Sequence, residues 1–272
     1  ARQVIRQVQP NVVLGFGGYI TFPGGMMAAL SGVPLVLHEQ NSVAGLANRV
    51  LAKIATRVAC GFPQALPNGT WVGNPVRTEI AQLPPPAERF AARVDGTPLR
   101  LLVLGGSLGA TAINEIVPKG LSLIPDAERP QVVHQAGARH LAQLKENYTA
   151  AGVHAECIDF IEDMAGAYEW ADLVLCRAGA LTVAELAAAG VASVLVPFPH
   201  AVDDHQTGNA AFLADAGAGI LLPQSGLTAE SLAALLADMT RDRCLEMAVA
   251  ARRQARTDAA SRVADVCEEL AE

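Results

Sequence analysis

The chain has 272 residues, with 20 Lys and Arg against 27 Asp and Glu, a formal net charge of −7. That balance argues against a general nucleic-acid binder, which needs a basic surface, although a local basic patch remains open. Hydrophobic residues are 51% and aromatics 4%, so Ala, Val and Leu must fill the core of one large domain or two ordinary ones.

The five cysteines, Cys60, Cys157, Cys176, Cys244 and Cys267, are far apart, odd in number and form no C-x-x-C. This fits reduced thiols better than a disulfide framework or a zinc site. No apolar run approaches the ~18–20 residues of a spanning helix.

In chain order, A-R-Q-V-I-R-Q-V-Q-P reads as the end of an amphipathic helix, with Val4, Ile5 and Val8 on one side. A domain that opens this way is expected to be the later part of a longer protein, with a strand or two ahead of it. Strands are predicted at 12–15, 33–38, 58–61 and 71–73, and helices at 23–31 and 43–54. Residues 81–98 hold Pro84, Pro85 and Pro86 in a row, which neither a helix nor a central strand accommodates, and read as a linker with one short helix.

The alternation then restarts, with strands predicted at 99–104, 131–134, 155–158, 171–175, 192–197 and 219–222 and helices between them. From Thr228 the chain is helical, broken near 240–242 and 257–258. This spacing predicts an α/β protein with two parallel sheets covered on both faces, two Rossmann-like domains facing a cleft. The expected division is 1–80, a linker at 81–98, a second domain at 99–256, and a final helix at 257–272 packing back on the first domain. Ligands in such sheets sit beyond the carboxyl ends of the strands, so the loops there are the candidates.

G-F-G-G-Y-I-T-F-P-G-G, 15–25, carries five glycines in eleven residues: either a turn with Pro23 near the helix start, or a backbone approach to a ligand. H-E-Q-N, 38–41, is a polar pocket wall or a helix cap. Arg77 in G-N-P-V-R is a phosphate grip or a solvated arginine. L-G-G-S-L-G-A, 104–110, presents Ser107 at a helix N-terminus suited to phosphate, yet is neither G-x-G-x-x-G nor a P-loop. P-F-P-H-A-V-D-D-H-Q-T-G-N, 197–209, reads as a polar substrate loop; its two histidines, five apart, do not align as metal ligands on one helix face. In C-R-A-G-A-L-T-V-A-E-L, Thr182 and Glu185 have capping-box spacing. Arg49, Lys53 and Arg57, four apart, would form one basic helical stripe beside Leu46, Val50 and Ile54, either a solvated face or a contact for anionic lipid.

Taken together, G-G-Y, H-E-Q-N, G-N-P-V-R, G-G-S-x-G-A, F-I-E-D-M, C-R-A-G-A-L-T-V-A-E and P-F-P-H-A-V-D-D-H-Q resemble, in order and spacing, the MurG family, and the resemblance runs over essentially the whole chain. It implies a GT-B fold and an inverting hexosyltransferase that moves N-acetylglucosamine from UDP-N-acetylglucosamine (UDP-GlcNAc) to the C4 hydroxyl of undecaprenyl-diphosphate-linked N-acetylmuramoyl-pentapeptide, converting lipid I to lipid II. No metal or other cofactor is implied; helix N-termini and backbone N–H groups would stabilise the departing diphosphate.

Carried over by the resemblance, Asn41 contacts the donor sugar, Arg77 and Ser107 the phosphates, and the backbone of Ile161 the uracil. Ala180, Leu181, Thr182, Val183, Ala184 and Glu185 form the helix start at diphosphate and ribose, with Glu185 on the ribose hydroxyls. Gln206, with His205 before it, reads the sugar hydroxyls. Glu185 so placed cannot cap its own helix, which would stay open for the diphosphate. The basic helix implies a peripheral position on an anionic membrane surface, at the cytoplasmic face of the bacterial cell membrane.

The family's G-G-T-G-G-H loop, which holds acceptor diphosphate and a histidine considered for base catalysis, would precede Ala1, so no catalytic residue is assigned. Thr21-Phe22 and Ser42 depart from the smaller residues usual there. The competing readings are a non-catalytic UDP-sugar-binding module and a related GT-B enzyme with another lipid acceptor.

Overall fold

A computed structural model describes residues 1–106 and 110–272. Ser107 lies outside the described residues. The first unit runs α1 (Arg2–Val8), β1 (Val13–Gly15), α2 (Gly18–Leu30), β2 (Leu35–Glu39), α3 (Leu46–Leu51), β3 (Arg57–Cys60) and β4 (Thr70–Trp71). Helices α4 (Thr78–Ala81) and α5 (Pro86–Ala91) follow. The second unit runs β5 (Arg100–Leu104), α6 (Thr111–Ser122), β6 (Gln131–Gln135), α7 (Leu141–Ala151), β7 (Glu156–Ile158), α8 (Met164–Trp170), β8 (Leu173–Cys176), α9 (Ala180–Ala189), β9 (Ala192–Leu195), α10 (His205–Ala214), β10 (Gly219–Leu221), α11 (Ala229–Ala237) and α12 (Arg241–Gln254). The last helix is α13 (Ala259–Ala271).

Both sheets are parallel throughout, in the orders β1-β2-β3-β4 and β10-β9-β8-β5-β6-β7. In the second sheet the chain proceeds from β5 to one side through β6 and β7, then returns to the other through β8. The order therefore reverses between β5 and β8, and a crevice opens beyond their carboxyl ends. The near-continuous apolar runs of β5, β8 and β9 follow from burial on both faces.

The proline-rich segment 81–98 is tied to the second unit. The guanidinium of Arg89, 4% exposed, donates to the carbonyls of Tyr168, Ala189 and Gly190. Burial is the main reason its pKa falls to about 10. Arg93 Nε pairs with buried Asp172 at 2.8 Å. Helix α13 crosses back to the first sheet, where Val263 packs with Ala59 and Val72.

Two sequence expectations change. The helix expected from Pro23 begins at Gly18 and carries Pro23 inside it. The glycines of 15–25 serve packing as well as turning: a Cβ on Gly25 would sit 2.9 Å from Leu51 Cδ1, one on Gly15 would collide with Thr21, and Gly17 and Gly18 take positive φ.

The nine-residue basic helical stripe also does not form. Helix α3 ends at Leu51, Lys53 lies in the following turn, and Arg57 opens β3. Tight bonds from Lys53 N to Val50 O and Ile54 N to Leu51 O close the helix, and Thr56 N then bonds Leu35 O at 2.8 Å, drawing the chain into the sheet. At its other end, Glu39 accepts from the amides of Asn41 (2.9 Å) and Gly45 (3.3 Å), holding 41–45 as a loop.

Candidate functional site: a cavity at the strand switch point

A cavity of about 260 Å³ lies at the switch point, lined by Leu104 at the end of β5 and Gly106 beyond it, Gln135 at the end of β6, and Cys176 at the end of β8 with Arg177 after it. Phe160, Ile161, Met164, Tyr168, Thr182 and Glu185 complete it, and Arg77 reaches in from the start of α4. Burial pushes the Cys176 thiol up to about 12, so it lines the cavity as a neutral group.

Helix α9 faces this cavity uncapped. Gly179 is its N-cap, in an extended conformation, and among the described residues no side chain caps it. The first ladder bond runs from Val183 N to Gly179 O at 2.9 Å, so the amides of Gly179, Ala180, Leu181 and Thr182 precede the ladder. The local capping-box spacing is thus not used: Thr182 and Glu185 both lie within the helix. An open N-terminus of this kind favours an anion.

Glu185 is gripped from both sides. Arg77 donates from Nε (3.1 Å) and Nη2 (2.8 Å) to Oε1. The Tyr168 hydroxyl donates to Oε2 at 3.2 Å. Burial, then the charge of Glu185, raise the Tyr168 pKa well above its usual value, so the phenol stays a donor. Arg77 and Glu185 therefore meet each other where each is expected to meet the donor. The pair is half exposed on the arginine side, so water and ligand can compete for it.

The cleft between the units is closed by amide groups. Asn209 on α10, fully buried, accepts from Ser42 N at 2.8 Å and donates to Asn41 Oδ1 (3.3 Å) and Ala178 O (3.1 Å). The Ser42 hydroxyl adds a bond to His205 O at 3.3 Å. Gln206 accepts from Phe198 N at 2.9 Å and lines a second cleft cavity with Gly106, Thr111, Arg177 and His200.

His38 and Glu39 are struts more than ligands. His38 Nε2 lies 2.9 Å from Gly73 O, which can only accept, so Nε2 carries the proton and Nδ1 accepts from Gln40 at 3.2 Å. Burial lowers the His38 pKa and keeps the ring neutral. Beside them a cavity of about 560 Å³ runs along the first unit, between Gly17, Gly18, Tyr19 and Phe22 and the residues Asn41, Leu46, Asn48 and Val50.

Residues 100–263 match the glycosyltransferase family 28 C-terminal domain, and residues 1–60 its N-terminal domain. A UDP-N-acetylglucosamine--N-acetylmuramyl-(pentapeptide) pyrophosphoryl-undecaprenol N-acetylglucosamine transferase of Dechloromonas aromatica is 66% identical over 99% of this chain and 76% of its own length. This chain belongs to the MurG family of GT-B glycosyltransferases. A relative of the same name from Ralstonia nicotianae is 61% identical over 97% of the chain and 73% of its own length. The crystal structure of Acinetobacter baumannii MurG superposes with a TM-score of 0.90 at 41% identity, covering 98% of this chain and 76% of that one.

Of the residues singled out in the sequence, Arg77, Ile161, Thr182 and Glu185 line the switch-point cavity, Asn41 lines the cavity that runs along the first unit, and Gln206 lines the second cleft cavity. Two positions change meaning. The Val183 side chain is wholly buried, and Ala184 lines a small void with Trp71 and Arg256 at the junction of the units. Their amides lie beyond the free first turn, so neither presents a polar group to a donor.

Tyr168, Gln135, Arg177 and Asn209 were not singled out. Arg177 spans Val196 O, Pro197 O and Gln224 Oε1, stacks over Phe198, and lines both the switch-point and the second cleft cavities. Arg177 and Asn209 fall inside the quoted stretches 176–186 and 197–209 without a role of their own, and the only sequence signal for Gln135 and Tyr168 is a polar residue inside or ending an apolar element.

Proposed function

We propose that this chain transfers N-acetylglucosamine from UDP-GlcNAc to lipid I in peptidoglycan synthesis. Its membership of the MurG family at 66% identity supports a hexosyltransferase with these two substrates. The observation that carries the assignment in the fold is the switch-point cavity, where an uncapped helix start, a carboxylate and an arginine converge. A nucleoside diphosphate has complementary parts: a base for the 160–161 loop, a ribose for Glu185, and phosphates for α9 and Arg77.

In this reading uracil lies against the Ile161 backbone. The ribose hydroxyls replace Arg77 on Glu185, and Arg77 turns to phosphate together with Ser107. The diphosphate completes the open cap at Ala180, Leu181 and Thr182, and Asn41 and Gln206 face the sugar. The acceptor C4 hydroxyl attacks the anomeric carbon as the bond to the UDP oxygen breaks. The hydroxyl proton passes to a general base, the electron pair of the broken bond leaves on UDP, and the configuration inverts. The α9 amides and Arg77 meet the charge that develops there, which is electrostatic stabilisation that needs no metal.

The membrane-facing side is proposed to be the first unit, on the cytoplasmic surface. Tyr19, Ile20 and Leu46 are 85%, 72% and 68% exposed, with Arg49 and Lys53 close in sequence. Among the described residues no helix is long and apolar enough to cross a membrane. Anionic lipid would add about 1 kcal/mol per basic residue near the surface.

The test is transfer of labelled N-acetylglucosamine from UDP-GlcNAc to a lipid I analogue, with UDP and ADP titrations alongside. Binding that shows no preference for UDP over ADP would sink the donor assignment. UDP binding without any transfer would favour the non-catalytic module.

A further inference from the structure

We infer that Gln135 is a positioning residue for the donor, because its one carboxamide ties together the two loops that form opposite ends of the switch-point cavity. The inference rests on the reading of that cavity as the UDP end of the donor site.

Gln135 ends β6, between β5 and β7, in register with Leu104 on one side and Ile158 on the other. Its side chain therefore emerges between the loops leaving both neighbours. Oε1 accepts from Gly106 N at 3.0 Å, and Nε2 donates to Gly106 O at 3.2 Å and to Asp159 O at 2.8 Å. One acceptor and both amide hydrogens are used, so the group is satisfied although only 5% exposed.

The pairing with Gly106 is two-point, as one strand would pair with another, but made by a side chain where the β5 ladder has ended. Gly106 needs such a clamp, because its φ of +73 lies in the region that only glycine enters freely. The main chain of Gln135 reinforces it by accepting from Gly105 N at 2.8 Å.

The second loop is held as firmly. Asp159 O accepts from Gln135 Nε2 and also from Gly137 N at 3.2 Å. The Asp159 carboxylate in turn accepts from Phe160 N at 2.9 Å. Phe160 and Ile161 line the cavity on this side and Gly106 on the other. The carboxamide thus fixes the spacing between the phosphate end and the base end, and a nucleotide that spans both is sensitive to that spacing. Gln135 acts through these loops, and its removal also leaves the Gly106 N–H and C=O unpaired at the cavity wall and takes from Asp159 O one of its two donors.

The experiment compares Gln135→Met, which keeps length but not hydrogen bonds, and Gln135→Glu, which keeps an acceptor but neither donor, with wild type. Both variants are expected to raise the KM for UDP-GlcNAc by about tenfold or more, with kcat within about threefold and the KM for a lipid I analogue unchanged. Both should also lose preference for UDP over ADP, a ratio that general destabilisation does not move.

Should the variants fold poorly, amide hydrogen exchange on ligand-free wild type gives a second reading. The Gly106 N–H is expected to be protected at least about tenfold over an unstructured amide. Variants that keep wild-type KM and UDP preference, or a freely exchanging Gly106 amide, overturn the inference alone. Wild type that does not prefer UDP overturns the donor reading along with it.

Discussion

Around the six-stranded sheet, Leu101, Val103, Leu173 and Val194 pack into one extended apolar cluster and Leu102, Val174, Leu186 and Leu195 into another. Around the four-stranded sheet the buried apolar side chains fall into small groups: Leu35, Leu37 and Leu51; Ala44, Cys60 and Leu66; Ala59, Val72 and Val263. What the first unit lacks in apolar mass it replaces with polar ties. Glu39 binds two loop amides and Asn48 Nδ2 (2.8 Å), His38 reaches Gly73, and Asn74 Nδ2 reaches Gln40 O (2.9 Å). The difference separates two tasks. The second unit is a stiff block that holds most of the switch-point cavity, and the first is a lighter plate whose large apolar side chains, such as Tyr19 and Leu46, face outward.

The largest effect that probes this contrast is on stability. Leu175→Ala, in the middle of the buried β8, should cost about 2–5 kcal/mol, and Leu37→Ala should fall at or below the low end of that range because its cluster is small. Trp71 on β4 reports the first unit together with the junction, where it meets Phe212 and Arg256, and Trp170 at the end of α8 reports the second unit. Urea melts of single-tryptophan variants should show Trp71 leaving at lower denaturant. Coincident transitions and equal losses would erase the distinction.

A smaller effect comes from acid. His134 is fully buried, with Tyr148 OH at 2.9 Å from Nδ1 and Asn114 Oδ1 at 3.0 Å from Nε2, and burial lowers its pKa from 6.5 to about 3. Nε2 therefore donates and Nδ1 accepts, a pattern that only the neutral ring satisfies. The stability that this histidine contributes is complete above its unfolded pKa. It is lost as pH falls from 6.5 towards 3, with a slope of about 1.4 kcal/mol per pH unit at most. His38 in the first unit is shifted in the same direction by the same cause. His134→Gln should flatten the urea midpoint against pH over that window, and an unchanged slope would remove His134 as its source.

The smallest effect is on the outward face. Ile20→Ser and Leu46→Ser should leave stability within about 0.5 kcal/mol. Sedimentation with anionic vesicles should fall several-fold, while transfer to a water-soluble acceptor analogue is kept. Unchanged vesicle binding would move the membrane contact elsewhere.

Much of this architecture is legible in the sequence. Each predicted strand overlaps an observed one, because parallel strands buried on both faces must be short apolar runs, and the breaks between the last helices fall where Thr228, Thr240 and Asp258 serve as N-caps. The failures share a cause. The start of α2 was hidden by glycines that suit a turn locally but are needed for contact with Leu35 and Leu51. The stripe from Arg49 to Arg57 obeys helical spacing, yet Thr56 belongs to a sheet bond with Leu35. Gln135 and Tyr168 carry no local mark, because what each does is fixed by partners 17 to 29 residues away.

One feature of the junction has a mechanical consequence. The chain passes from the first unit to the second after Gly73 and returns before α13, and the two crossings touch: a Cβ on Gly73, at φ +90, would collide with Arg256. The Arg256 guanidinium lies over the Trp71 ring at 4.2 Å. A single tether would let the units tumble like beads on a string; two tethers riveted side by side behave like the knuckles of a door hinge. Arg77 against Glu185 and Asn41 against Asn209 are side-chain ties that span the units beyond that double crossing.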